Sequence, residues 1–203
     1  NPYYVKPTQK GLYLHFKAIA ESVSIPCIVY NIESRTGVNL ENETLVRLMS
    51  EHKNIVGVKE ASGSLAQMKN LIGLSHDKFV VLCGDDNITV DLIEAGGNGV
   101  VSVASNLIPK EMKKMVHWAL DGDLEQARAL ENQLMPFFKA CFCETNPIPI
   151  KAAMAMKGWC QEVYRLPMCS LSRDENYDLI RKAMVDIEIP EAGAFTVTYR
   201  NGE

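Results

Sequence analysis

The chain has 203 residues, 47% hydrophobic and 23% charged, which is enough apolar material for one sizeable core. Its 21 basic and 25 acidic residues give a net charge of −4 with no block of one sign, so no footprint for nucleic acid or an anionic membrane is expected. Apolar runs are short and interrupted, and Asn1 to Lys10 lack the apolar core of a signal peptide, so the expectation is no membrane span, a cytoplasmic location, and small molecules or other subunits as partners.

Taken in order, the chain alternates between helical and extended patterns. After Asn1-Pro2-Tyr3-Tyr4, residues Leu12, His15, Phe16, Ile19 and Val23 recur at helical spacing within Gly11 to Val23, and Ile25 to Ile32 reads as a β-branched strand. A polar loop, Ser34-Arg35-Thr36-Gly37, precedes a helix over Glu43 to Lys53, and the strand ending in Lys59 follows. The unit then repeats. A helix over Ser64 to Leu74 leads to a strand at Phe79 to Cys83, then Gly84-Asp85-Asp86, then a helix through Val90, Leu92 and Ile93 that stops at Gly96-Gly97. Gly99 to Val103 supplies a fourth strand, and Pro109 opens the next helix, where its missing N–H costs nothing.

Beyond that point the pattern is helical. Leu124, Ala127, Leu130, Leu134 and Met135 share a face within Asp123 to Phe138, Pro147 to Met156 forms another helix, and Ser172 with Glu175 reads as a capping box for a helix through Tyr177, Leu179, Ile180 and Met184. Phe195, Val197 and Tyr199 alternate with threonines, as in a half-buried strand, or belong to a tail. The expected organisation is a β/α part over residues 1–120, a helical region over 121–189 and a tail over 190–203.

Four β/α units with nearly all-apolar strands imply an α/β fold, a parallel sheet covered by helices. A doubly wound sheet and a (β/α)8 TIM barrel both fit, but neither G-x-G-x-x-G nor G-x-x-x-x-G-K-[ST] occurs. The polar residues Tyr30, Asn31, Lys59, Gly84 and Ser102 fall at the C-terminal strand ends, where a barrel gathers its chemistry, so the barrel is favoured and four strands make half of it.

Lys59 ends an apolar strand, Asn54 to Lys59, whose Ile55, Val56 and Val58 suit burial on both faces. A lysine there either leaves the sheet to pair with Glu60 or a helix end, or serves as a neutral amine that attacks a carbonyl to form a Schiff base. The six cysteines include no C-x-x-C pair and read as reduced. His15, His52, His76 and His117 are isolated and read as surface or packing residues, so no metal site is expected.

Several segments together resemble a known family: Pro2-Tyr3-Tyr4, Gly11 to Ala20, Val29-Tyr30-Asn31-Ile32, Ser34-Arg35-Thr36-Gly37, Ile55 to Ala61, Ser102, and Asn146-Pro147-Ile148-Pro149-Ile150-Lys151. They resemble the dihydrodipicolinate synthase branch of the pyruvate-dependent class I aldolases, within the N-acetylneuraminate lyase superfamily. The resemblance implies condensation of pyruvate with aspartate semialdehyde, in lysine and diaminopimelate biosynthesis, with no cofactor beyond the covalent imine. Lys59 is then the imine-forming amine and Tyr30 the proton relay. Arg35 resembles the group that holds the semialdehyde carboxylate, and Gly84 and Val101 match positions lining the pyruvate pocket. Tyr4 resembles a tyrosine that reaches into the neighbouring subunit's site, and Tyr3 lies near a lysine-inhibitor pocket, implying a homo-oligomer, dimer or tetramer.

Glu33 departs from the family's usual proline. The strands resemble the fifth to eighth of the barrel, so the expectation is that the N-terminal half barrel, with its G-T-T hydroxyl relay, is absent and that this chain alone turns over poorly and is not a stable monomer. Two alternatives remain at this level: a related aldolase acting on a sugar acid, or a non-catalytic half-barrel assembly module.

Overall fold

The computed structural model describes residues 1–75, 78–185, 187 and 189. His76 and the alternating stretch 195–199 lie outside the described residues. The described chain falls into two units, one of Asn1–Ser102 with Lys114–Ala129, the other of Val103–Lys113 with the described residues from Leu130 onward.

The first unit is built on a four-stranded parallel sheet of β1 (Cys27–Asn31), β2 (Ile55–Glu60), β3 (Val80–Cys83) and β4 (Gly99–Val100), in the order β1-β2-β3-β4. Sequential order without a reversal is that of consecutive barrel units; a doubly wound sheet would change direction at a switch point. Helices α1 (Gln9–Ser22), α2 (Glu33–Thr36), α3 (Asn42–Glu51), α4 (Leu65–Leu74) and α5 (Thr89–Glu94) alternate with the strands. The fold is thus the expected α/β architecture, a partial (β/α) barrel.

Local chemistry sets the helix starts. The Thr8 hydroxyl accepts the Gly11 N–H at 3.3 Å ahead of α1, and the Ser64 hydroxyl accepts the Gln67 N–H at 3.2 Å ahead of α4. The core lies between the sheet and α1, α3 and α4. Val29, Val58, Val81 and Cys83 of the strands are buried there with Leu12, Leu45, Leu48, Met68 and Leu71. Each fully buried aliphatic side chain of this kind contributes about 1.5–3 kcal/mol.

The second face of the sheet differs from the sequence expectation of strands covered on both sides. Ile28 is 51% exposed, Tyr30 38% and Val101 43%, while Lys59 and Leu82 are half-buried. Two further differences are local. Glu33–Thr36 is a helical turn and no open loop, because the Gly37 N–H donates to the Glu33 carbonyl at 2.8 Å and Gly37 closes the turn at φ 79°. The fourth strand ends at Val100 because Val103 takes helical backbone angles and opens the 3₁₀ turn Ala104–Asn106.

Two helices contribute residues to both units: α6 (Pro109–Leu120) and α7 (Leu124–Ala140). The second unit also holds α8 (Ile148–Met156) and α9 (Asp174–Met184). The Ser172/Glu175 capping box does not form. Arg173 occupies the cap position of α9 without a side-chain bond, because the Ser172 N–H and hydroxyl both donate to Glu144 Oε1, at 2.8 and 3.0 Å.

Candidate active site

Parallel pairing brings the candidate residues together at the C-terminal strand ends. Lys59 is the penultimate residue of β2, and it lies in register with Tyr30 on one side and Leu82 on the other. Strand alternation puts Lys59, Tyr30 and Leu82 on the less covered face, while their successors Glu60, Asn31 and Cys83 point into the core. Lys59 Nζ sits over the Tyr30 ring, 4.0 Å from its centroid. The negative ring face attracts a cation at this range by about 0.5–2 kcal/mol.

Gly84 follows β3, and its N–H donates to the Glu60 carbonyl at 2.8 Å. A side chain at that position would meet its neighbour: an added Cβ would lie 2.3 Å from Ala61 Cβ. The Val101 N–H likewise continues the ladder, donating to the Cys83 carbonyl at 2.8 Å.

The remaining candidates gather around the turn after β1. Tyr3, Tyr4, Ser34, Arg35 and Thr36 line an open cavity of about 770 Å³. The Tyr4 N–H donates to the Thr36 carbonyl at 3.1 Å, which ties the N-terminal segment to the arginine-bearing turn. Tyr4 holds φ at 72°, a region that side chains other than Gly, Asn and Asp seldom adopt, and is 84% exposed. Backbone held in such a sparsely populated region is concentrated at functional sites.

Three further polar residues, Asp85, Glu60 and Asn31, surround this site. Asp85 follows Gly84; burial, then the charges of Asp86 and Glu60, push its carboxyl above the ordinary range, and Lys59 opposes them. Its Oδ2 is buried without a hydrogen-bond partner among the described residues. Glu60 and Asn31 form a buried polar contact directly behind Lys59 and Tyr30. The signal for both was present: each follows a candidate residue on a strand, so the period of two turns it inward, where a polar group needs partners.

Among the described residues, no group of three or more His, Cys, Asp or Glu is arranged to hold a metal, and no helix is long and apolar enough to cross a membrane.

Comparison with known proteins gives a consistent result. Residues 1–185 match the model of the dihydrodipicolinate synthetase family. The chain is 46% identical over 187 residues to the 4-hydroxy-tetrahydrodipicolinate synthase of Methanocaldococcus jannaschii, covering 92% of this chain and 63% of that protein. It is also similar to the crystal structure of dihydrodipicolinate synthase from Aquifex aeolicus, with a TM-score of 0.88 and 43% identity over 90% of this chain and 62% of that one. The corresponding structure from Thermotoga maritima gives 0.88 and 41%, over 91% and 63%. The chain therefore spans a little over three-fifths of the length of the relatives it matches.

Proposed function

Because the chain belongs to the dihydrodipicolinate synthetase family, we propose that it carries the imine-forming lysine of an enzyme that condenses pyruvate with L-aspartate 4-semialdehyde. The observation that carries this reading is the position of Lys59 Nζ on the Tyr30 ring at the C-terminal end of a parallel sheet.

In this reading the neutral Lys59 amine adds to the pyruvate ketone carbon, and a proton delivered to the resulting hydroxyl lets it leave as water, which leaves a protonated imine. The imine draws electrons from the pyruvate methyl, which gives up a proton to form an enamine. The enamine carbon then bonds to the aldehyde carbon of the semialdehyde, whose oxygen takes up a proton, and attack of water or of the product's own amine on the imine carbon breaks its bond to Lys59 and frees the lysine. Tyr30 moves protons to and from these centres, and the reaction is a lyase-type aldol chemistry with no metal or separate cofactor. Arg35 grips the semialdehyde carboxylate with its planar fork. Gly84 and Val101 border the pyruvate, Tyr4 serves the site of a neighbouring subunit in a homo-oligomer, and Tyr3 lies near a regulatory pocket. The enzyme works in the cytoplasm, in lysine and diaminopimelate biosynthesis.

The test is condensation by the protein carrying this chain, beside its Arg35→Ala variant. Losing a charge-assisted carboxylate grip of about 1.5–3 kcal/mol lowers kcat/KM for the semialdehyde roughly 10- to 100-fold and leaves imine formation with pyruvate intact. Activity indifferent to Arg35→Ala favours a related aldolase acting on a different aldehyde.

A further inference from the structure

Behind Lys59, on the core side of the sheet, lies a carboxylate that the reaction itself does not use. Glu60 is 1% exposed, and its hydrogen-bond donors are neutral amides. The Ser62 N–H donates to Oε1 at 2.8 Å, and Asn31 Nδ2 reaches Oε1 at 3.3 Å and Oε2 at 3.0 Å. Gln67 Nε2, from α4, approaches Oε2 at 3.4 Å. Both oxygens therefore face donors.

The direction of these bonds is fixed by backbone groups. The Leu40 N–H donates to Asn31 Oδ1 at 3.0 Å, and the Leu40 carbonyl accepts from Gln67 Nε2 at 3.2 Å. Asn39 completes the set: its Oδ1 accepts from Asn31 at 2.8 Å and Gln67 at 3.2 Å, and its Nδ2 donates to Gln67 Oε1 at 2.9 Å. With the Leu40 N–H fixing Asn31 Oδ1, the Asn31 NH₂ points at Glu60, while Gln67 Nε2 divides its two hydrogens among the Leu40 carbonyl, Asn39 Oδ1 and, at 3.4 Å, Glu60 Oε2. Only a group that accepts at both ends closes this network, and a carboxylate does so. A glutamine would set an NH₂ against donors in either orientation.

The network ties together the end of β1, the end of β2, the segment before α3 and the first turn of α4. Asn31 and Glu60 are themselves register partners, one residue beyond the Tyr30 and Lys59 pair. We infer that Glu60 is a positioning residue: its buried carboxylate locks the two strand ends from behind and thereby holds Lys59 and Tyr30 in reacting geometry on the front. This inference rests on the imine-forming role proposed for Lys59.

The experiment compares the protein carrying this chain with its Glu60→Gln variant, which keeps the shape of the side chain and changes only what it accepts. Each is incubated with pyruvate and borohydride, and the rate of adduct formation per folded molecule is followed with Tm, kcat and KM. A displacement of about 1 Å at a reacting group costs about 10²-fold, so the variant is expected to form its adduct roughly 10- to 100-fold more slowly. The fall is expected in kcat, with KM for pyruvate little changed. A folded variant that labels at the parent rate, with only a lowered Tm, overturns the inference, since a merely structural role predicts that result. If Glu60→Gln does not fold, Gln67→Met decides, because at a half-buried helix position it removes the Nε2 that approaches Glu60, together with its bonds to Leu40 and Asn39. It is expected to slow labelling by roughly 3- to 10-fold, and an unchanged rate overturns the inference. An unsubstituted protein that forms no adduct removes the proposed function itself, and the positioning role falls with it.

Discussion

Lys59 Nζ lies 4.0 Å from the centre of the Tyr30 ring, and the same two residues are register partners across the β1 and β2 pair. Backbone pairing therefore makes the two residues neighbours without a flexible loop, and their side chains meet across the strands. A cation on that ring face is attracted whether it is the lysine ammonium or the iminium formed from it. In the proposed mechanism the ring and the hydroxyl of Tyr30 have separate tasks, one holding charge and the other moving protons.

That separation makes Tyr30→Phe informative. The variant keeps the ring and loses the hydroxyl, so a pyruvate adduct still forms while turnover falls by about 10² to 10⁴. Single-turnover trapping read beside steady-state kcat checks this. Equal turnover in the variant would remove the proton-relay role.

Gly84→Ala is expected to destabilise the fold. The new Cβ would stand 2.3 Å from Ala61 Cβ and 3.1 Å from both Ala61 Cα and the Glu60 carbonyl oxygen, and two of these three atoms belong to backbone that cannot swing away. Overpacking of this kind costs about 1–3 kcal/mol, read as a lower denaturant midpoint at an unchanged slope.

Asp85 gives a pH signature. Burial first, then the neighbouring Asp86 and Glu60 charges, raise its carboxyl above the unfolded value. Ionising it therefore costs the folded state. The cost is absent in acid below the unfolded value, grows as pH rises through that value, and is complete above the folded one. Asp85→Asn should accordingly be more stable than the parent at neutral pH, with the gain closing in acid. Thermal melts at the two pH values check the sign.

Much of this was legible in the chain itself. The apolar strand carrying Lys59, which runs on to Glu60, and the order of four β/α units follow from local pattern and spacing, and the structure has them. The Ser172 cap was misread for a physical reason. Its hydroxyl had a second acceptor, Glu144, 28 residues earlier in the chain, and no local pattern reveals that competition. The Ser34 to Gly37 segment has loop composition, yet Gly37 at φ 79° closes it as a helical turn. Glu60 was visible only as a partner for Lys59; its inward direction follows from strand alternation and its Ser62 donor is local, but Asn31, 29 residues earlier, is brought to it by strand pairing. The cavity at Arg35 likewise required the Tyr4 to Thr36 bond, which joins segments the sequence keeps apart.

The imine-forming role proposed for Lys59 is open to direct chemical trapping. The protein carrying this chain is incubated with pyruvate, reduced with borohydride, digested and sequenced by tandem mass spectrometry. One reduced pyruvate adduct per chain is expected, on the peptide containing Lys59, and none in Lys59→Arg. Adduct on another lysine, or none in the unsubstituted protein, would contradict that role.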